Sequence, residues 1–302
     1  MDDFESYISS AINNQEELVK GLTLALSRHY GFEEELLAAL TSPETKMHEK
    51  GYNTSIRKRN AALLKTVEGV VPLKWESILE EKSPTSPIHP HPYTEAFNRL
   101  AEEKGLPVRL HDNGPKDYCI AKIKSLKIAN GDITKIDDIN RIMVETNDPE
   151  TDQKIGNVLV SMRGIKDVHH QENRDMQGFI SDVYRMKFDN GVSAEIAFVP
   201  YGLVASSSIT HNALRFRRAS KAITNKKSAK RLYNGICASI KKKFNAASKD
   251  LKVDKKYVDD LDLQEFSLAE ANKKLGALEN ECLNAVLNNP VNKKWKSIFR
   301  QQ

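Results

Sequence analysis

An Asn-Gly pair, Asn190-Gly191, is the feature of this sequence that most constrains its fold. Such a pair accepts the positive φ angles of a tight hairpin turn. On both sides of the turn, apolar residues alternate with polar ones, which is the period of a β-strand. The apolar positions are Tyr184, Met186 and Phe188 before the turn, and Val192, Ala194, Ile196 and Phe198 after it. The stretch 178–200 therefore predicts two paired strands, each with one apolar face.

Glu195 lies in the middle of the second predicted strand, on the face opposite the apolar residues. Glutamate is depleted in strands, so a single carboxylate at this position is unusual. Taken alone, the periodicity favours a half-exposed sheet face on which Glu195 is solvated. A functional carboxylate is the alternative, and periodicity by itself does not separate the two.

The composition of the 302 residues is typical of a globular protein with two or three domains. No apolar run approaches the roughly 20 residues that cross a bilayer, and the acidic N-terminus lacks the apolar core of a secretion signal. The three cysteines, Cys119, Cys237 and Cys282, are widely separated and form no metal-binding pair. We therefore predict a cytoplasmic protein that is not associated with a membrane. This prediction leaves open an export route that uses no N-terminal signal.

Positive charge is concentrated in one part of the chain. The net charge is only +5, but the stretch from Arg215 to Lys256 holds fifteen Lys or Arg residues against two acids. Such a block is a candidate surface for phosphates or nucleic acid. A solvated helix face is the other interpretation, because few aromatic residues are interleaved with the charges.

Four prolines between Pro84 and Pro92 predict a stiff linker and a domain boundary. Residues 1–88 are expected to form a helical N-terminal region, with helices that end near Gly31, cover 33–40 and run over 55–67. Residues 89–222 form the predicted central domain, and residues 223–302 a basic helical C-terminal region. His89 and His91 have no Cys or acid nearby in the sequence, so we interpret them as part of the linker and not as metal ligands.

The central domain is predicted to begin with a helix over 92–104, a strand over 108–110 and a helix over 118–128. Pro115 suits the first turn of this last helix. Lys116, Lys122 and Lys124 precede it or lie on it. Lysines beside a Gly-Pro turn suit either a polyphosphate or solvent, and the pattern of a Walker P-loop is absent from the sequence.

Two adjacent acids, Asp137 and Asp138, come directly before a short apolar strand. Acids at the start of a strand either cap a turn or hold Mg²⁺, since this ion prefers carboxylate oxygens. A helix is predicted from Asp148 to about Met162, and the polar run 169–175 predicts a loop.

Taken together, residues 114–218 resemble the synthetase domain of the RelA/SpoT family, whose members transfer pyrophosphate from ATP to the 3′-hydroxyl of a guanosine nucleotide. The resemblance covers about a third of the chain and implies an α+β fold, with a nucleotidyltransferase-like mixed sheet flanked by helical regions. The separation of Gly178 and Glu195 also agrees with the family. The matching segments, in the family's order, are Gly114-Pro115-Lys116, the run 138–144, Gly178-Phe179, Glu195-Ile196-Ala197 and the run 211–218.

The resemblance implies a role for each matching residue. Asp138 and Glu195 would hold Mg²⁺, and Glu195 could instead accept the proton of the attacking hydroxyl. The ATP phosphates would be neutralised by basic residues, and Phe179 would stack on the acceptor base. The basic residues are Lys116, Lys122 or Lys124, and Arg141, with His211 and Arg215 on the helix that follows.

Several substrate positions depart from the family pattern. Ala197 replaces a glutamine, Gly114 and Met143 replace arginines, and Ile180 and Val183 replace an arginine and a histidine. Two hypotheses follow: an active pyrophosphokinase with a changed acceptor, such as another purine nucleotide or the 3′ end of tRNA, or an inactive nucleotide- or RNA-binding protein. The active form would suit a toxin with a neutralising protein partner, or a homo-oligomer. A third hypothesis, outside the family, is a helical interaction protein with one hairpin.

Overall fold

The computed structural model describes residues 2–67, 89–112, 114–146, 148–162, 164–175, 180–199 and 201. These residues belong almost entirely to one compact unit, made of 1–64, 84–174 and 181–201. The second unit consists of 65–83, 175–180 and 202–302, and nearly all of it lies outside the described residues. The predicted C-terminal helical region and the basic block therefore stay predictions, as do the domain boundaries.

Six α-helices and five β-strands make up the described part of the chain. The helices are α1 (Asp2–His29), α2 (Glu33–Leu40), α3 (Pro43–Val67), α4 (Pro92–Glu103), α5 (Tyr118–Ile128) and α6 (Pro149–Ser161). The strands are β1 (Val108–Asp112), β2 (Asn140–Thr146), β3 (Ile165–Asp175), β4 (Ile180–Phe188) and β5 (Ser193–Val199). Among the described helices, none combines the length and the hydrophobicity that a membrane span needs.

The five strands form one sheet in the order β1-β2-β5-β4-β3. β2 is antiparallel to β1 and parallel to β5, and β5 is antiparallel to β4. The sheet is therefore mixed, and the predicted α+β fold is confirmed. The parallel pair β2–β5 lies at its centre, and the chain between these two strands passes through α6, β3 and β4.

The hairpin of β4 and β5 is confirmed, but its turn differs from the expected one. The Gly191 N–H donates to the Phe188 carbonyl at 2.9 Å, and the Phe188 N–H donates to Val192 at 2.8 Å. Gly191 has φ +84°, whereas Asn190 is outside the left-handed region. The loop thus has three residues and ends in a left-handed glycine. The Asn190 side chain instead exchanges two hydrogen bonds with Asn14 of α1, at 3.0 and 3.1 Å.

One face of the sheet packs against α1, α4 and α6 and forms the hydrophobic core. The predicted alternation produces this face, because apolar residues recur at every second position through most of β2, β4 and β5 and are buried. These residues are Ile142 and Val144 of β2, Tyr184, Met186 and Phe188 of β4, and Ala194, Ile196 and Phe198 of β5. The opposite face carries Arg141, Arg185 and Glu195, and we call it the polar face.

Periodicity favoured a solvated Glu195, and this prediction is wrong. Its side chain is only 15% exposed and is paired with Arg185. The neighbours of Glu195 on the same face of β5, Ser193 and Ala197, are also buried. β5 is a central strand, so both of its faces are covered.

Three predicted boundaries also need correction. The run 169–175 is part of β3 and is not a loop. β3 lies at the sheet edge, where a strand can remain polar because one side is open to water, and the His170 ring stacks on Tyr184 at 4.2 Å. α3 begins at Pro43, twelve residues before the predicted Ser55. α5 begins at Tyr118, so Pro115 precedes the helix.

His91 ends the predicted linker and begins α4. Its Nδ1 accepts a hydrogen bond from the Tyr93 N–H at 3.3 Å, which caps the helix, and its ring meets Tyr52 edge-on at 4.9 Å. The residue is 1% exposed. Burial lowers the pKa of His91 from its ordinary 6.5 to about 4, against the opposing charge of Glu16. The ring is therefore neutral at pH 7.

We expect Gly156→Ala to destabilise the protein, because α6 approaches Tyr184 closely at Gly156. A methyl group there would lie 2.7 Å from the Tyr184 hydroxyl and 3.0 Å from two ring carbons. Overpacking lowers the free energy of unfolding by about 1–3 kcal/mol, whereas the better helix propensity of alanine raises it by only about 1 kcal/mol. Gly51→Ala is the matched control, since open space surrounds Gly51 in α3. Urea unfolding should show a loss for the first variant and a gain for the second, and a gain for both would contradict this packing.

We also expect His91 to make stability depend on pH. The lowered pKa means that the unfolded state binds the proton first, so the free energy of unfolding falls as pH drops from 6.5 towards 4. The full difference is at most about 3 kcal/mol. His91→Asn keeps a capping side chain without the titration, so its unfolding free energy should fall less over this range. Equal slopes for the two proteins in urea unfolding between pH 7 and pH 4 would refute the assignment.

Candidate active site

Asp138 is held between two lysines in the turn that precedes β2. The Lys124 ammonium lies 2.7 Å from one carboxylate oxygen, and the Lys116 ammonium lies 3.4 Å from the other. Asp138 is 20% exposed in its side chain, and Lys116 only 4%. Burial opposes ionisation of Asp138, but the charges of Lys116, Lys124 and Arg141 outweigh it and hold the pKa of the carboxyl well below its usual value. The Asp138 carboxylate is therefore ionised at neutral pH.

The local structure explains why these two lysines meet at Asp138. The Lys116 N–H donates to the Ile139 carbonyl at 2.6 Å, which fixes the loop before α5 beside the turn before β2. Lys124 lies on α5, one element further along the chain, and its ammonium reaches the other oxygen of the same carboxylate. Lys122 lies about 200° around the helix from Lys124 and forms no ion pair among the described residues. The structure thus brings together Lys116, Lys124 and Asp138 but not Lys122.

Glu195 lies between two arginines on the polar face. Arg141 of β2 is its register partner on one side, and Arg185 of β4 is its register partner on the other. The Arg185 Nε lies 3.2 Å from a Glu195 carboxylate oxygen. Within the described part of the chain, the Nε of Arg141 is buried without a hydrogen-bond partner. A buried unsatisfied donor fits a site whose anionic ligand would accept its bond.

Arg141 links the two groups, because its charge acts on Asp138 and it lies in register with Glu195. We therefore treat six side chains as one candidate site, which we call the cation cluster: Lys116, Lys124, Asp138, Arg141, Arg185 and Glu195. Four cations against two carboxylates give it a net charge of +2. A polyanion such as a nucleotide polyphosphate is the kind of ligand that this charge attracts.

Helices α1 and α3 hold the loops of the cation cluster in place. The Tyr7 hydroxyl donates to the Lys116 carbonyl at 2.6 Å. The side chain of Gln15 bonds to both the N–H and the carbonyl of Arg141, at 3.2 and 3.1 Å. Asn60 accepts the Tyr118 N–H at 2.7 Å, so α3 supplies the cap of α5. The N-terminal region has no catalytic motif, yet it positions the backbone on both sides of the site.

Arg185 is a site residue that the sequence interpretation missed, although the sequence contains a signal for it. In a hairpin with Phe188 opposite Val192, the residue opposite Glu195 is Arg185. A second missed pair is His111 and Glu145, whose ring nitrogen and carboxylate lie 2.8 Å apart on the polar face. No motif in the sequence joins these two residues, since β1 and β2 meet only in the folded sheet. Phe179, His211 and Arg215 lie outside the described residues, and their predicted roles stay predictions.

The carboxylates of the cation cluster fit Mg²⁺, because this ion takes hard oxygen ligands and few of them from the protein. Another possible metal group in the described part of the chain is Glu16, Glu49 and His91. Lys20 contacts Glu16 and lies 3.6 Å from Glu49. The Nδ1 of His91 is engaged by the Tyr93 N–H as well. We interpret this group as a structural polar cluster.

Comparisons with known proteins found structural similarity only. No family model matches the sequence, and no curated protein matches it. The structure is similar to the small alarmone synthetase 1 of Bacillus subtilis bound to its product pppGpp, with a TM-score of 0.35 and 15% identity over 50% of this chain and 83% of that one.

Two further solved structures are similar. A GTP pyrophosphokinase family protein from Streptococcus pneumoniae has a TM-score of 0.34 and 12% identity, and covers 63% of this chain and 85% of its own. A chain from the complex of the Type VI effector Tas1 with its immunity protein has a TM-score of 0.27 and 16% identity, over 71% of this chain and 98% of that one. At these TM-scores we draw no conclusion about activity from the neighbours.

Removing the cap that α3 provides should loosen the start of α5. Asn60→Ala leaves the Tyr118 N–H without its acceptor in a buried place, which costs about 1–3 kcal/mol. Urea unfolding and amide hydrogen exchange at Tyr118 would measure the loss. Thr54→Ala, at an exposed position of the same helix, is the control and should change stability by less than about 0.5 kcal/mol. Equal effects of the two substitutions would show that the cap is unimportant.

Proposed function

We propose that this chain is a Mg²⁺-dependent pyrophosphokinase, which transfers pyrophosphate from ATP to the 3′-hydroxyl of a purine nucleotide or of an RNA 3′ end. The observation that carries the proposal is the cation cluster: two buried or half-buried carboxylates, Asp138 and Glu195, each in contact with basic side chains on or beside the polar face. Phosphoryl-type transfer depends mainly on positioning and charge neutralisation, and this set of groups supplies both.

Five of the six residues of the cluster have a role in this reaction. Lys116, Lys124 and Arg141 bind the phosphates of ATP, and Asp138 and Glu195 hold the metal. Mg²⁺, when bound, neutralises charge that develops on the phosphate oxygens. Glu195 can alternatively accept the hydroxyl proton as the 3′-oxygen bonds to the β-phosphorus. The bond from that phosphorus to the α-phosphate oxygen then breaks, and AMP leaves.

A non-catalytic nucleotide- or RNA-binding protein is the second candidate. The observation in its favour is the apolar surrounding of Glu195 on the polar face, where Ala197 and Val183 are both buried. The family pattern has polar side chains at both positions. A protein of this kind would keep the affinity of the cation cluster for phosphate without the contacts that orient an acceptor.

The proposal extends to partners and location. If the acceptor is one whose modification harms the cell, such as tRNA, the producing cell needs a neutralising protein partner, and the proposal includes one. A homo-oligomer and a cytoplasmic location stay predictions from the sequence.

A transfer assay tests the proposed activity. We expect label from γ-labelled ATP to appear, in the presence of Mg²⁺, on one member of a panel that contains GDP, GTP, ADP, ATP and deacylated tRNA. Asp138→Asn and Glu195→Gln should each lower the rate on the order of 100-fold or more, because each removes a charged ligand of the metal ion that neutralises the reacting phosphates. Lys124→Gln should lower it roughly 10- to 100-fold, since a charge-assisted hydrogen bond is lost.

Lys122→Gln is the matched control on the same helix and should remain near the wild-type rate, because Lys122 does not contact Asp138. Transfer that persists in both carboxylate variants would refute the site. If ATP binds but label reaches no acceptor, the binding protein becomes the better hypothesis. Thermal unfolding of each variant would exclude loss of the fold as the cause.

A further inference from the structure

Both candidate metal ligands of the cation cluster are already paired with cations in the free protein. Asp138 contacts Lys116 and Lys124, and Glu195 contacts Arg185. These contacts join residues from separate elements: the loop before α5, α5 itself, the turn before β2, β4 and β5. The same arrangement, a carboxylate in contact with a basic side chain, therefore occurs at both positions. In each case the partner is a side chain of the type that binds phosphate.

Arg185 is the member of the cluster without an assigned role. Its side chain is 28% exposed, against 15% for Glu195, so the guanidinium lies nearer to solvent than the carboxylate that it contacts. In the part of the chain that the structure describes, its hydrogen bond to Glu195 uses only Nε. A guanidinium has five N–H donors in a planar fork, and the two terminal nitrogens are the ones that usually bind phosphate oxygens.

The register of the sheet places Arg185 near a second arginine of the polar face. Arg141 and Arg185 lie on the two strands that flank Glu195, so two guanidinium groups border one carboxylate. Arg185 supplies a guanidinium on the same face, in register with Glu195 on the neighbouring strand.

We infer that Arg185 is a phosphate-binding residue of this site, which Glu195 holds in the free protein and releases when a divalent metal ion occupies the carboxylate. The inference rests on the proposed function and adds a residue and a coupling to it. A guanidinium and a divalent cation compete for the same carboxylate, and a phosphate group relieves the competition because it accepts the guanidinium. Metal and nucleotide should therefore each raise the affinity of the other by the same factor.

Nucleotide binding in the absence of metal tests whether the ion pair with Glu195 keeps Arg185 from binding phosphate. The probe is α,β-methylene ATP, which cannot release AMP, measured by isothermal titration calorimetry in the presence of a chelator. Glu195→Gln weakens the ion pair and should raise the affinity several-fold in the wild-type background. In an Arg185→Gln background the same change should have little effect. An equal gain in both backgrounds would mean that Glu195 acts only through its charge and would overturn the inference.

Binding with Mg²⁺ tests the phosphate contact itself. Arg185→Gln should lower the affinity for α,β-methylene ATP on the order of tenfold and leave the affinity for adenosine unchanged, because adenosine has no phosphate. Lys187→Gln is the matched control, since Lys187 is the exposed next residue on the same face of β4. Equal losses for Arg185→Gln and Lys187→Gln would refute a specific role for Arg185.

Metal binding to the free protein separates this inference from the proposed function. Arg185→Gln should raise the affinity for Mn²⁺, followed by electron paramagnetic resonance, several-fold in the absence of nucleotide, and Lys187→Gln should not. If nucleotides fail to bind to any variant, the proposed function is wrong, while the Mn²⁺ result still reports on the pair of Arg185 and Glu195. An unchanged Mn²⁺ affinity together with normal nucleotide binding would refute the inference and leave the proposed function standing.

Discussion

The parallel pairing of β2 with β5 is the interaction on which the candidate site depends. It places Arg141 in register with Glu195, although more than fifty residues separate them in the chain. The hairpin then adds Arg185 on the far side of the same carboxylate. Parallel pairing needs a long crossover, so the site forms only after α6, β3 and β4 have reached their places. The chemistry of the polar face is thus a property of the whole sheet and not of one motif.

Local patterns in the sequence predicted most of the described fold. The period of two identified the hairpin, and the helices α1, α2, α4, α5 and α6 lie close to their predicted ranges. The errors have separate physical causes. Residues 169–175 of β3 were predicted to form a loop, because an edge strand can consist mostly of polar residues. Asn190 does not have a left-handed backbone; its side-chain amide bonds to Asn14 instead. Neither the polarity of an edge strand nor the side-chain bonds of Asn190 changes the pattern of hydrophobic residues from which the fold was predicted.

The candidate site was predictable where a local register decides the geometry, since the hairpin register pairs Arg185 with Glu195. The meeting of Lys116 and Lys124 at Asp138 was not predictable in this way, because it joins the loop before α5, the helix itself and the turn before β2. Strand order was not predictable either, since no periodic pattern states that β2 neighbours β5. The supporting role of α1 and α3 was also hidden, because isolated polar residues such as Gln15 and Asn60 look like ordinary surface positions until the fold buries them.

The two bonds between Gln15 and the backbone of Arg141 have a consequence for strand alignment. The Gln15 amide donates to the Arg141 carbonyl and accepts the Arg141 N–H, so Gln15 bonds to β2 as a peptide group of a neighbouring strand would. Backbone groups of successive strand residues point to opposite sides, and a shift of β2 by one residue would turn those of Arg141 away from α1. The same shift would move every basic and acidic side chain of β2 into the hydrophobic core. The two bonds of the buried Gln15 side chain therefore favour the observed alignment of β2 over one that is shifted by a residue.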